Sequence, residues 1–176
     1  MQVISTEFKG LFLLEPKVFH DERGFFFESS NTKVLESKGI KYDFVQDNQS
    51  FSTYGVLRGM HFQKGEFAQT KLVRVLQGEI LDVVVDLRKD STTYLQTFSK
   101  RLSSENKLQL LVPKGFAHGF VVLSETADVL YKCDNYYHPS SEDGLRYDDP
   151  KLNIDWILNK EDLIINQKDL KYEFLK

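Results

Sequence analysis

The chain is poor in several things at once. It has one cysteine in 176 residues, four prolines, one tryptophan and four histidines. A lone Cys133 excludes an internal disulfide and fits a reducing compartment. Four prolines and ten glycines are too few for a collagen-like or linker-rich chain. No apolar run approaches the roughly 18 residues that a membrane helix needs. Runs such as 25–27, 83–85 and 120–123 span only three or four residues. The opening MQVISTEFKGLFLLEPKVFHDERG lacks the basic start and continuous apolar segment of a signal peptide. Charge is not in excess either. The 23 Lys and Arg against 26 Asp and Glu leave a net charge of -3, which argues against nucleic acid as the partner. A cytoplasmic protein with no membrane and no nucleic-acid partner is the expectation.

What is present is apolar and aromatic. Hydrophobic residues are 41% and aromatics 13%, with fourteen Phe and eight Tyr, a composition that favours strands. There is no internal repeat, low-complexity tract or linker, so residues 1–176 read as one domain, large enough to bury roughly 70% of its unfolded surface. One internal helix is predicted, over 31–38, with Ser29 or Ser30 as N-cap and Gly39 after its end. Elsewhere period two dominates. Over 80–87, Leu81, Val83, Val85 and Leu87 share one face and Ile80, Asp82, Val84 and Asp86 the other. Lys71, Val73 and Val75 share a face opposite Leu72, Arg74 and Leu76, and Gln77-Gly78 marks a hairpin between the two runs. Further strands fall at 108–112, 119–123 and 127–133. The pattern predicts an all-β protein, a jelly-roll β-sandwich or barrel, with the 155–176 tail forming short helical turns packed on it.

A jelly roll with an open mouth offers an interior where a few polar side chains converge. Three polar residues interrupt apolar faces: Lys71 beside Val73 and Val75, Tyr131 between Val129 and Cys133, and His118 in VPKGFAHGFVVL. An inward lysine calls for an anionic partner or ligand, whereas a one-residue shift in face assignment would send Lys71 to solvent. An inward tyrosine or histidine is equally a satisfied core residue. PKGFAH fits the second cupin half-motif. The first half-motif carries H-x-H, and here it reads His61-Phe62-Gln63, an amide in place of the second imidazole. With His20 and His138 in unrelated segments, a metal-free cupin is expected over a three-histidine centre. Arg23 in DERGFFFE and Arg58 in GVLRGMHFQ have the fork that grips phosphate or carboxylate, or are ordinary loop arginines. Asp47 and Asn48 read as turn residues or ligands alike.

Together, DERGFFFE, FVQDNQSFSTYGVLRGMHFQ, QTKLVRVLQGEILDVVVDLR, VPKGFAHGFVVLS and YKCDNYYHPSSEDGLRYDDP resemble the dTDP-4-dehydrorhamnose 3,5-epimerase family. The five blocks run in order from about residue 10 to 157, and Gln167-Lys168-Asp169 adds a tail match. The resemblance implies a cofactor-free cupin epimerase working as a homodimer, often with exchanged N-terminal strands, on a nucleoside-diphosphate 4-keto sugar. It implies His61 as proton acceptor, Tyr131 as proton donor, Asp169 as the carboxylate behind His61 and Lys71 at the sugar's C4 oxygen. Arg23, Glu28, Gln46, Asp47, Asn48, Arg58, His118, Tyr137 and Glu142 are implied to grip the rest of the substrate. Inverting a carbon beside a ketone needs a base, an acid and a cation at the enolate oxygen, and His61, Tyr131 and Lys71 are those types. Two segments depart from the family: Trp156-Ile157 replaces Trp-Pro, and LKYEF at 170–174 replaces an Ala-Pro-rich tail. A GDP-4-keto-heptose epimerase, a single-centre epimerase, a non-catalytic sugar-nucleotide-binding cupin and a metal-dependent cupin are the competing readings.

Overall fold

The computed structural model describes residues 1–175. Alternating runs form β1 (Gln2–Ser5), β2 (Phe12–Glu15), β3 (Phe19–Asp21) and β4 (Gly24–Phe26), followed by α1 (Thr32–Ser37). The long strands come next: β5 (Gln46–Thr53), β6 (Val56–Gln63), β7 (Lys71–Gln77), β8 (Glu79–Asp86), β9 (Thr97–Ser103), β10 (Gln109–Val112), β11 (Phe116–Val122) and β12 (Thr126–Cys133). Two short ones, β13 (Glu142–Gly144) and β14 (Ile164–Ile165), close the series. One sheet runs β1-β2-β10-β7-β12-β5 and the other β13-β6-β11-β8-β9, while β3 and β4 pair only with each other in a hairpin. Pairing is antiparallel save for β14, which lies parallel to the start of β6. This is the cupin-type β-sandwich that the sequence pattern predicts.

The crossovers bring β10 beside β2 and β7, and β12 beside β7 and β5, so strands far apart in sequence share one sheet. Between the sheets lies a core of Val73, Val75, Ile80, Val84, Leu102, Leu110, Phe120 and Val129. The outer face of the second sheet is buried as well. Leu57, Met60, Leu81, Val83, Val85 and Val121 pack there against Leu145, Tyr147, Leu152 and Trp156, joined by Ile165 and Leu170 of the tail. On the first sheet's outer face, α1 lays Leu35 over Leu14, Leu72 and Leu111. Strands covered on both sides carry no polar face, which is why all of β11 is buried and its alternation is faint in sequence.

Local chemistry sets the boundaries. Only Gly78 separates β7 from β8; its φ is +78° and a Cβ there would stand 2.0 Å from Thr126 O, so no other residue fits the turn. The helix is capped by the Asn31 side chain, which accepts from Val34 N, and not by Ser29 or Ser30. The serines lie too early to reach the first free N–H groups of the helix. The tail carries two 3₁₀ turns, Lys160–Asp162 and Asp169–Lys171, with β14 between them. It therefore adds a strand to the second sheet as well as packing helical turns on it. Among the described residues no helix is long and apolar enough to cross a membrane.

Candidate active site

The polar residues that interrupt the apolar faces meet at one mouth of the sandwich. A cavity of about 310 Å³ is lined there by Arg58, His61, Lys71, His118, Tyr131 and Asp169, with Ser50, Phe120, Asn166 and Lys168. A second, of about 120 Å³, shares His61, Lys71 and Tyr131 with it and adds Gln46, Asn48, Gln63, Tyr137 and Glu142. The two form a groove. His61 and Arg58 enter it from the second sheet, on β6, whereas Lys71 and Tyr131 enter from the first, on β7 and β12. A ligand in the groove is thus faced by the imidazole from one sheet and the phenol from the other.

Simple alternation puts Arg58 and His61, three residues apart, on opposite faces. The register resolves this. His118 pairs with His61 and Phe120 with Arg58, so β6 spends one more residue than β11 over the same span. The bulge sits at Gly59, whose φ is +136° and where a Cβ would stand 2.5 Å from Gly119 Cα. A glycine is needed there, and the bulge turns both side chains inward.

The Gly59 N–H also holds the tail's carboxylate, donating to Asp169 Oδ2 at 3.2 Å. Asp169 Oδ1 lies 2.7 Å from His61 Nε2, leaving Nδ1 as the ring nitrogen free to take a proton. Burial opposes ionisation of Asp169. The hydrogen bond and charge of His61, the Gly59 N–H and Lys168 outweigh that and hold its carboxyl below the usual range. The Tyr172 ring meets the imidazole edge to face, with centroids 6.0 Å apart. The departed tail thus still delivers its carboxylate and adds an aromatic wall behind His61.

On the neighbouring strand His118 Nε2 sits 3.0 Å from both oxygens of Asp82, and the pair is buried. Burial pushes Lys71 down from the ordinary lysine value, opposed by Cys133, Asp82 and Glu142, so its positive charge is held at a cost a ligand anion would offset. Burial pushes the Tyr131 phenol up, which keeps it protonated. The Lys71 ammonium stands 5.7 Å from the Tyr131 ring centroid. At the outer end, Glu142 Oε2 accepts from the Tyr137 hydroxyl at 2.6 Å and from Lys168 Nζ at 2.5 Å. Gln46 Nε2 donates to Asn48 Oδ1, and Asn48 Nδ2 lies 3.6 Å from the Cys133 thiol.

Of the residues singled out in sequence, Arg23, Glu28 and Asp47 do not reach this groove. Arg23 is at the tip of the β3–β4 hairpin, paired with Asp21 and with 83% of its side chain exposed. Glu28 accepts from Asn31 at the foot of the helix. Asp47 lies between the inward Gln46 and Asn48, so alternation turns it outward, where it binds Lys132 at 2.8 Å across the β5–β12 ladder. Asp47 and Asn48 belong to a strand and not to a turn. Sequence reasoning did not single out Asp82, Asn166 and Lys168. Asp82 shares a face with Ile80 and Val84, and that polar break was legible; Asn166 had no local signal. Among the described residues no three His, Cys, Asp or Glu side chains converge to hold a metal ion.

A jelly roll that sets a carboxylate-backed imidazole against a half-buried phenol, with an ammonium beside them, belongs to the cupin-type isomerases. The sequence profile of dTDP-4-dehydrorhamnose 3,5-epimerase matches residues 5–176. The chain is 56% identical over 157 residues to the enzyme of that name from Salmonella typhimurium, covering 89% of this chain and 86% of the relative. It is 49% identical over 174 residues to the one from Methanothermobacter thermautotrophicus, covering 98% and 94%. The crystal structure of the Legionella pneumophila enzyme in complex with dTDP-4-keto-L-rhamnose superposes with a TM-score of 0.93 at 49% identity, covering 98% of this chain and 92% of that one. The chain belongs to the dTDP-4-dehydrorhamnose 3,5-epimerase family.

Proposed function

We propose that the chain, acting in the cytoplasm as one domain over residues 1–176, inverts C3 and C5 of dTDP-4-dehydro-6-deoxy-glucose to give dTDP-4-dehydro-rhamnose. The observation that carries this is the opposition of His61, backed by Asp169 at 2.7 Å, to Tyr131 across one groove. His61 takes the proton from the carbon beside the ketone, and the electron pair moves onto the C4 oxygen as an enolate beside the Lys71 ammonium. The ketone re-forms as the Tyr131 phenol delivers a proton to the opposite face of that carbon. His61 then loses its proton to water and Tyr131 regains one, which lets solvent hydrogen into the product. The imidazolium formed in the first step is stabilised by the Asp169 carboxylate.

The nucleotide end fits the rest of the groove. Arg58 is held by Ser52 Oγ at 3.0 Å and faces inward with His118, which suits a diphosphate. Tyr137, half exposed, offers its ring to the base, with Gln46, Asn48 and Glu142 around it. Arg23 and Glu28 lie on or beside a hairpin that also exposes Phe19, Phe25 and Phe26. Such a patch suits a homodimer in which each N-terminal arm reaches the other subunit's groove and brings both residues to it.

Proton NMR of dTDP- and GDP-linked 4-keto hexoses and heptoses incubated with the protein in heavy water tests the reading. Deuterium at both C3 and C5 of the dTDP hexose is expected. Exchange at one carbon makes it a single-centre epimerase, and no exchange despite binding overturns catalysis altogether. Tyr131→Phe is expected to slow inversion or stop it at one centre; an unchanged product distribution reassigns the acid.

A further inference from the structure

Gln63 ends β6 two residues beyond His61, where the metal-binding half-motif carries its second histidine. It is 8% exposed, and its amide is committed to backbone groups. Nε2 donates to Phe67 O at 2.7 Å and to Tyr136 O at 3.1 Å, and Oε1 accepts from His138 N at 2.6 Å. Two stretches distant in sequence meet on this one side chain: the end of β6 with the Gly65–Phe67 turn that follows it, and the segment 136–138. Both amide hydrogens are used, so Gln63 has no donor left for a ligand. A neutral imidazole, with one donor and one acceptor, could not serve two carbonyls and an N–H together.

The segment so held carries Tyr137. Its N–H donates to Gln46 Oε1 at 3.0 Å, and its hydroxyl to Glu142. Next to it the His138 ring stacks on Phe67, centroids 3.8 Å apart and planes 13° from parallel, which ties the same two stretches a second time. Tyr137 nevertheless keeps half its surface open on the groove. An exposed aromatic on a backbone pinned from both sides is preorganised, and the entropy of ordering it is lost on folding and not on binding.

We propose that Gln63 is a positioning residue for the nucleotide: its buried amide locks segment 136–138 to the Gly65–Phe67 turn and presents the Tyr137 ring to the base. It governs binding of the nucleoside end and leaves the proton transfers to His61 and Tyr131. The inference rests on the reading that Tyr137 stacks on the base.

The test uses the full chain. Affinity for dTDP is measured by calorimetry, kcat and KM by NMR, and folding by thermal unfolding. For Gln63→Leu, dTDP binding weakens about tenfold and KM rises by a similar factor, with kcat within about threefold of the parent. Gln63→Glu keeps the acceptor for His138 N but sets carboxylate oxygens against two carbonyls. Its dTDP affinity, taken relative to the parent, is weakened at about pH 8 and recovers in part by about pH 6, where protonation restores one donor. Thermal unfolding followed over the same pH range separates this recovery from a general regain of fold stability, which a packing role alone would give. Should Gln63→Leu show no cooperative unfolding transition, the Gln63→Glu pH series carries the test. Unchanged dTDP affinity in the folded variants, or a kcat loss at constant KM, overturns the inference. Tyr137→Ala separates the two levels. If it too leaves dTDP binding intact, the stacking reading falls; if it alone weakens binding, only the role of Gln63 falls.

Discussion

Replacing Asp169 with asparagine removes the charge behind the base while keeping its shape, and the geometry sets the size of the effect. In the proposed mechanism, proton abstraction turns His61 into an imidazolium whose Nε2 is 2.7 Å from Asp169 Oδ1. With charge centres about 4 Å apart and an effective dielectric of about 20, their attraction is about 4 kcal/mol. The His61 side chain is 30% exposed, so solvent screening reduces this to about 2 kcal/mol, equivalent to about thirtyfold in kcat. That is a lower bound, because the asparagine NH₂ must face either the Gly59 N–H or His61 Nε2. The first sets donor against donor; the second fixes the tautomer with the proton on Nδ1, which cannot act as base. Neither oxygen of Asp169 is free for substrate, so KM should change by less than about threefold. The assay is deuterium incorporation at C3 and C5 under saturating and limiting substrate. A kcat within about threefold of the parent, or a loss carried by KM, refutes the reasoning.

Other expectations follow from the buried charges. Burial lowers the pKa of Lys71 and raises that of Tyr131, so on the alkaline side it favours loss of the Lys71 proton and opposes loss of the Tyr131 proton. The rate should fall at a pH below the ordinary lysine value of about 10.4, and Lys71→Arg, slower at every pH, should move that limb upward; an unmoved limb assigns it to another group. Burial works against Asp86 ionising, but hydrogen bonds from Arg88, Ser91 and Thr93 outweigh it and hold the carboxyl far below its usual range. The folded pKa is depressed, so this stability is full above the unfolded value of about 3.9 and is lost as pH falls below it. The carboxylate is fully buried against Arg88, and Asp86→Asn should cost about 3–5 kcal/mol in urea unfolding at neutral pH; a loss under about 1 kcal/mol rejects the pairing argument. A Cβ at Gly144 would lie 2.4 Å from the Tyr172 ring, so Gly144→Ala should displace that ring from behind His61 and destabilise the fold by about 1–3 kcal/mol. Unchanged thermal unfolding and kcat would show that the ring gives way freely.

The sequence by itself determined the class of fold and the chemical types of the central residues. Period-two patterning in the segments around Val73, Val83 and Val129 placed strands there, and Lys71, Tyr131 and His118 were legible because each breaks an apolar face. The acidic residues behind the histidines had weaker signals. Asp82 broke the face of Ile80 and Val84 visibly, but Asp86 broke the same face, and nothing local marked Asp82 as the partner of His118. Asp169 stands 108 residues from His61, and no local pattern reports a contact of that range. Only the tertiary structure decided that Arg58 and His61 share a face, because one bulge residue at Gly59 reverses the parity on which every strand assignment depends. The same parity turned Asp47 outward, and the β3–β4 hairpin carried Arg23 out of its own groove. The opposition of Tyr131 to His61 likewise arises from two sheets closing on one another. A strand's own sequence records which side chains share its face, but not which strand will face it across the core.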